Sequence, residues 1–213
     1  MNGVAARMES ISGRFLEYPY VANGLIGSAN TPEVFNDSLH GFDCVTYIES
    51  VMALAYSGNA GNFSSILKKL RYEDGKVAWN RRNHYMTQWL RNNIRSGLID
   101  RVASRKQTNH KERVLSVVPG LPPRRARFSC IPKRGLKSVR SEMQTGDLIF
   151  FASTRPQLDV FHCGIVVRKG TGVFLRHASR SQGGVVEQEL DSFLKQNRMA
   201  GVILARPVER SRA

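Results

Sequence analysis

Apolar residues recur at helical spacing through the first half of the chain. A helix is predicted to begin at or just before Cys44 and to end at Gly58-Asn59, because apolar residues between them lie three or four positions apart. Further helices are predicted at Val4–Leu16, at Phe63–Tyr72, through Trp89, Leu90 and Ile94, and at Leu190–Gln196. Most of the helical segments therefore precede residue 100.

Short apolar runs between glycine-containing turns predict strands in the second half. These runs are Leu148–Phe151, Asp159–Val167, Val173–Ser179, Val185–Val186 and Gly201–Arg206. Two more strands are predicted at Val114–Val118 and Ala126–Ile131, and the Asp74-Gly75 turn predicts a hairpin into Val77–Trp79. Helices followed by a run of strands are typical of the α+β class.

Three residues in these elements suggest a nucleophilic site. A thiol at a helix N-terminus, as expected for Cys44, lies near unpaired N–H groups and has a lowered pKa. The short turn at Lys169–Gly172 predicts an antiparallel strand pair that could place His162 beside His177. A cysteine, a histidine base and a second polar residue are typical of a cysteine nucleophile. Taken alone, the Cys44 segment favours a small buried cysteine on a core helix.

Composition narrows the classes of partner and cofactor. The net charge is +15, and residues 101–140 hold twelve Lys or Arg against one acid. Such a surface attracts polyanions, including cell-wall polymers, or simply keeps the protein solvated. No nucleic-acid-binding module accompanies the charge, so nucleic acid is not the expected partner. Three cysteines without a Cys-x-x-Cys motif, and the lack of a His-Glu-x-x-His motif, predict no disulfide framework, metal or other cofactor.

Five short motifs follow one another along the chain: Phe15–Tyr20, Phe42–Cys44, Gly146–Phe151, His162–Ile165 and His177–Ser179. Their order and spacing resemble the NlpC/P60 superfamily of papain-like cysteine hydrolases. Two further segments, Arg71–Gly75 and Arg81–Tyr85, resemble the DUF1460 branch, which is N-acetylmuramoyl-L-alanine amidase-like. The resemblance runs from about Phe15 to Arg206.

This resemblance implies a papain-like α+β fold. N-terminal helices would carry the nucleophile and pack on a C-terminal antiparallel β-sheet. A single catalytic domain would span residues 1–213, with a family-specific insert at about 71–140.

The resemblance also assigns roles to residues. Cys44 would attack an amide carbonyl, His162 would carry the proton, and His177 would orient His162. Tyr20 would donate to the oxyanion or fix the substrate, although a half-buried aromatic role is an equal alternative. Asp43 would bind substrate or, as the safer expectation, cap the Cys44 helix.

The insert implies further substrate contacts, at Asn83, His84 and Trp89. A structural role is the alternative for His84. Cys163 is expected to point to the opposite side of its strand from His162 and to belong to the core.

The implied reaction is hydrolysis of an amide in bacterial peptidoglycan, favouring the bond between muramic acid and L-Ala. The alternatives are a γ-D-glutamyl–diamino acid endopeptidase, an acyltransferase, and a polyanion-binding module on the same fold.

No signal peptide or transmembrane segment is evident in the sequence. The expectation is therefore synthesis in the cytoplasm. Non-classical secretion would follow, to the periplasm or cell wall of a rival, as an effector with a cognate immunity protein. Cytoplasmic recycling of muropeptides is the alternative.

Overall fold

The computed structural model describes residues 3–58, 60–102 and 108–209 of the 213-residue chain. Within these residues, six α-helices and ten strands form a mixed α+β fold. The helices are α1 (Val4–Arg14), α2 (Cys44–Ser57), α3 (Phe63–Arg71), α4 (Met86–Arg95), α5 (Leu136–Val139) and α6 (Leu190–Gln196). The strands are β1 (Ile26–Ser28), β2 (Thr31–Val34), β3 (Ile99–Arg101), β4 (Asn109–Leu115), β5 (Arg124–Cys130), β6 (Leu148–Ala152), β7 (Val160–Lys169), β8 (Gly172–Ser179), β9 (Gly184–Glu189) and β10 (Gly201–Pro207).

A six-stranded antiparallel sheet lies at the centre of the fold, in the order β3-β10-β6-β7-β8-β9. Every residue of β6 is buried. Leu148 and Phe150 face a core shared with α1 to α4, whereas Ile149 and Phe151 face a second core shared with α5 and α6. A continuous apolar run suits a strand that is covered on both faces. The strands predicted at residues 148–206 are confirmed, with ends shifted by up to three residues.

Helix α2 lies in the first core, where Tyr47, Ile48, Val51 and Met52 are fully buried. It begins at Cys44, as the apolar spacing predicts, and packs against α1, α3, β7 and β8. It ends where Gly58 adopts a left-handed conformation with φ 64°, which a side chain would disfavour. The other half of the predicted stop, Asn59, lies outside the described residues.

The predicted hairpin after Asp74-Gly75 is wrong. Two 3₁₀ turns, Glu73–Gly75 and Trp79–Arg81, occupy this segment, and an isolated bridge between Tyr72 and Arg82 closes it. Val77 is exposed, so the short apolar run has no sheet against which to pack. Such a run forms a stable strand only when one of its faces is buried.

The basic stretch contains a separate two-stranded hairpin, β4–β5. Both strands begin earlier in the chain than predicted, at Asn109 and Arg124. Polar residues take part in the pairing from Asn109 opposite Cys130 onward, and a pattern of apolar residues alone does not include them. In β5 the side chains of Ala126 and Phe128 are buried while Arg125 and Arg127 are exposed. Residues 103–107 of this stretch, and the end of the basic tail at 210–213, lie outside the described residues.

Across the ranges 3–58, 60–102 and 108–209, no helix has both the length and the apolar character that crossing a membrane requires. The assignment of residues 1–213 to one catalytic domain, with an insert at about 71–140, stays a prediction.

Candidate active site

Asp43 fixes the start of α2. One oxygen of its carboxylate, Oδ1, accepts hydrogen bonds from the backbone amides of Val45 at 3.0 Å and Thr46 at 2.7 Å. The Thr46 hydroxyl accepts in return from the Asp43 amide at 2.9 Å, which completes a capping box. The cap places the Cys44 thiol in the first turn, at the positive end of the helix dipole. Capping is thus the role of Asp43 that the geometry supports.

Two histidines face each other on β7 and β8. His162 Nε2 lies 2.6 Å from His177 Nδ1, with the ring planes at 85° to each other. The His162 ring also stacks on Phe151 and Phe193, at centroid distances of 6.1 and 5.5 Å. Because Nε2 is engaged by His177, the other nitrogen of His162 is left for the Cys44 thiol, whose pKa His162 lowers.

Gln188 is a member of the cluster that the sequence analysis missed. Its side-chain amide lies 2.8 Å from His177 Nε2. The β8–β9 register pairs His177 with Val186, so Gln188 reaches the histidine diagonally across the two strands. Burial, and then the charge of His162, lower the pKa of His177 to about 3, so this ring stays neutral. The Gln188 atom that faces the ring is the amide nitrogen Nε2, so Gln188 donates to His177 Nε2 and holds the ring in place behind His162.

The pKa of the Cys44 thiol is lowered to about 5. The largest cause is a hydrogen bond with the thiol of Cys163, and a hydrogen bond and the positive charge of His162 add to it. Burial and the Asp43 carboxylate act in the opposite direction. The net result is a thiolate at neutral pH, in a side chain that stays partly exposed.

Cys163 lies in the core beneath α2, as expected, and is fully buried. Cys163 also adjoins the nucleophile, because its Sγ donates to the Cys44 carbonyl oxygen at 3.2 Å. Alternation along β7 turns Cys163 into the core shared with α2 and turns the His162 ring toward Phe193 on the other face of the sheet.

Tyr20 lies beside the nucleophile. Its backbone bridges Phe42, two residues before Cys44. Burial raises the pKa of its hydroxyl, the negative charges of Cys44 and Asp43 raise it further, and Arg180 lowers it. A raised pKa keeps the phenol protonated, so the hydroxyl is available as a hydrogen-bond donor near Cys44.

Two of the predicted substrate contacts are corrected by burial. Trp89 is fully buried, and its Nε1 donates to Glu49 Oε1 at 3.0 Å. Its side chain therefore belongs to the core and is not exposed to a substrate. Asn83 is 5% exposed, donates to the Leu70 carbonyl and accepts from Asn92, so its amide is engaged within the fold.

His84 is half-buried, and its Nε2 lies 2.7 Å from the carbonyl oxygen of Trp79. Burial is the main cause that lowers its pKa. A role for His84 in substrate binding stays a prediction.

A cavity of about 540 Å³ adjoins the histidine pair. Phe161 and Phe193 supply its apolar lining, and Arg180 and Asn197 supply polar groups. Among the residues the structure describes, no group of three or more His, Cys, Asp or Glu side chains is placed to bind a metal ion.

The lowered pKa of Cys44 predicts an acid-shifted alkylation profile. The rate of Cys44 alkylation by iodoacetamide should rise around an inflection near pH 5, because the reactive thiolate predominates above its pKa. Cys163→Ala removes the neighbouring thiol that lowers the Cys44 pKa most, and it should move the inflection upward by about one pH unit or more. Peptide mapping by mass spectrometry would follow each cysteine separately.

Cys163→Ser, which keeps a donor, should restore part of this shift, whereas Cys130→Ala should leave the profile unchanged. A wild-type inflection near that of an ordinary thiol, about pH 8.5, would contradict the geometry of the site.

Known proteins resemble this chain over nearly its whole length. The sequence model of a family described as AmiA-like, N-acetylmuramoyl-L-alanine amidase-like, matches residues 10–202. Two crystal structures of an N-acetylmuramoyl-L-alanine amidase from Bacteroides uniformis are 25% identical and cover 98% of this chain, which covers 99% of theirs, with TM-scores of 0.86 and 0.82.

A DUF1460 protein from Legionella pneumophila, 21% identical with a TM-score of 0.83, shares the fold over 98% of this chain and 91% of its own. A search of curated proteins finds no significant match.

Proposed function

Since the chain belongs to the N-acetylmuramoyl-L-alanine amidase-like family, also called DUF1460, we propose that it is a cysteine amidase that hydrolyses the bond between muramic acid and L-Ala in peptidoglycan or its fragments. One observation carries the proposal of cysteine catalysis. Cys44 lies at a helix N-terminus, and its pKa is lowered to about 5 by neighbours that include His162, whose Nε2 is 2.6 Å from His177 Nδ1. This is the geometry of an activated thiol nucleophile with an oriented base.

In the acylation step, the Cys44 thiolate attacks the carbonyl carbon of the lactyl–L-Ala amide. The carbonyl oxygen becomes an oxyanion, which the Cys44 backbone amide and the Tyr20 hydroxyl stabilise as donors. His162, protonated in the thiolate–imidazolium pair, gives its proton to the departing nitrogen as the C–N bond breaks. The muramoyl half remains on Cys44 as a thioester, and the peptide leaves with a free L-Ala amine.

In the deacylation step, His162 takes a proton from water, which attacks the thioester. The C–S bond breaks, the lactyl acid is released and loses its proton to the solvent, and the Cys44 thiolate is regenerated beside protonated His162.

His177 and Gln188 act behind His162. His177 orients the His162 ring through the contact between His177 Nδ1 and His162 Nε2, and Gln188 holds His177 in position. A helix-borne thiol packed against strand-borne histidines supports the further proposal that the fold is the papain-like NlpC/P60 arrangement.

The proposal is tested by incubating a disaccharide–tetrapeptide with the wild type and with Cys44→Ala, and analysing the products by mass spectrometry. The wild type should release the intact tetrapeptide and the free disaccharide acid, and Cys44→Ala should release neither. Cys130→Ala is the matched control, because Cys130 is a buried thiol on β5 with a raised pKa, and it should keep activity.

Cys44-dependent cleavage between D-Glu and the diamino acid would instead establish the endopeptidase alternative. A Cys44-dependent product that appears only with an added amine would establish an acyltransferase. The absence of any Cys44-dependent product would contradict enzymatic activity on this substrate.

A further inference from the structure

The cavity beside the histidine pair has a mixed chemical character. Its walls include His162, His177, Phe161 and Phe193, and its volume of about 540 Å³ is in the range of sites that bind small ligands. Arg180 adds a positively charged group at its edge. Cys44 and Tyr20 are not among its lining residues, so the cavity borders the histidines rather than the nucleophile.

The position of this cavity indicates which part of the substrate it would hold, and this step rests on the proposed function. His162 must protonate the departing amine, so the leaving group lies on the imidazole side of the scissile bond. The acyl half stays attached to Cys44. The cavity next to His162 is therefore suited to the leaving peptide, which begins with L-Ala.

Arg180 is held on a well-defined turn. The Ser179 hydroxyl accepts from the Gln182 amide at 3.4 Å, and the Arg180 carbonyl accepts from the Gly183 amide at 3.3 Å. The Tyr20 amide donates to the Gly183 carbonyl at 2.8 Å, which ties this turn to the segment beside Cys44. The base of the Arg180 side chain is thus fixed relative to the nucleophile.

The charge of Arg180 is available to a ligand. Its side chain is exposed, and within the described parts of the chain no carboxylate forms an ion pair with it. By contrast Arg176 on the preceding strand is paired with Glu187 at 2.6 Å, and Arg206 with Asp147 at 2.7 Å. The Arg180 charge also acts on the Tyr20 hydroxyl, which places it near the reacting groups.

The leaving peptide offers a partner of matching charge. Its second residue is a γ-linked D-Glu, whose free α-carboxylate lies about 7 Å from the scissile nitrogen, the length of two extended residues. Arginine binds carboxylates in a bidentate manner, and such charge-assisted bonds are stronger than neutral ones. We propose that Arg180 binds the α-carboxylate of this D-Glu and makes the enzyme selective for stem peptides in which that carboxylate is free rather than amidated.

Two matched substrates test this proposal: N-acetylmuramoyl-L-Ala-D-Glu and its amide, N-acetylmuramoyl-L-Ala-D-isoglutamine. The wild type should cleave the acid with a kcat/KM roughly tenfold or more above that of the amide. Arg180→Ala should lose most of this preference, by a fall in kcat/KM for the acid alone, and Arg180→Lys should keep part of it. Arg91→Ala, an equal change of charge at an exposed position on α4 outside the cavity lining, should keep the wild-type ratio.

An acid-to-amide ratio that Arg180→Ala leaves unchanged, with Cys44-dependent cleavage intact, would overturn the subsite and leave the proposed function standing. An equal loss on both substrates would also overturn it, since a general effect of charge or folding does not distinguish an acid from an amide. The absence of Cys44-dependent cleavage of either substrate by the wild type would overturn the proposed function and the subsite together.

Discussion

His162→Ala should lower kcat/KM by about 10³-fold, because it removes both the proton donor to the leaving amine and the base for deacylation. The same substitution should raise the pKa of Cys44, since the hydrogen bond and charge of His162 help to keep it low. Steady-state kinetics and the pH dependence of Cys44 alkylation would measure the two effects separately.

His177→Ala should lower kcat/KM by less than His162→Ala does. It leaves His162 in place to transfer the proton and removes only the side chain that orients it. His177→Asn keeps a hydrogen-bond acceptor and should recover part of the rate. A His162→Ala variant that kept a tenth or more of the wild-type activity would contradict the role assigned to His162.

Arg71→Ala should destabilise the protein by about 3–5 kcal/mol, the largest stability effect we expect, because it leaves Glu49 buried without its charged partner. Arg71 Nε lies 2.8 Å from Glu49 Oε2, and both side chains are almost fully buried. Trp89 donates to the other oxygen of Glu49, so this network joins α2 to α3 and α4 and supports the helix that carries Cys44. Urea unfolding monitored by tryptophan fluorescence would measure the change.

The loss of stability caused by Arg71→Ala should depend on pH. Burial already raises the pKa of Glu49, and the loss of Arg71 removes the charge that opposes this shift. An acid whose pKa is higher in the folded than in the unfolded state destabilises the fold as pH rises. The difference in unfolding free energy between the wild type and Arg71→Ala should therefore be larger at pH 7 than at pH 5.

Arg95→Ala is the matched control. The ion pairs of Arg95 with Glu73 and Asp74 are exposed, and pairs of this kind contribute about 0–1 kcal/mol. A cost below about 1 kcal/mol for Arg71→Ala would contradict the structural role of the network.

The main framework of the site could be predicted from local sequence. Asp43 before an apolar helical pattern predicts a helix that starts at Cys44, and the turn at Lys169–Gly172 predicts the pairing of the strands that carry His162 and His177. Both inferences depend on residues close together in the chain. The structure confirms the helix start and the strand pairing.

Contacts between distant segments could not be predicted in the same way. The contact of Gln188 with His177 depends on the β8–β9 register, and the contact of Cys163 with Cys44 depends on how α2 lies on the sheet. The helical spacing that includes Trp89 is the same for a residue that faces a cleft and one that faces a core. Only the packing around Glu49 shows that Trp89 belongs to the core.

The central claim is that Cys44 carries the muramoyl half of the substrate as a thioester. It is tested most directly by mixing the enzyme with a disaccharide–tetrapeptide, quenching with acid within milliseconds, and mapping the modified peptides by mass spectrometry. The account predicts an adduct on Cys44 with the mass of the disaccharide acid less one water. Release of product over the same interval with Cys44 unmodified, or an adduct that carries L-Ala and D-Glu in addition to the disaccharide, would contradict it.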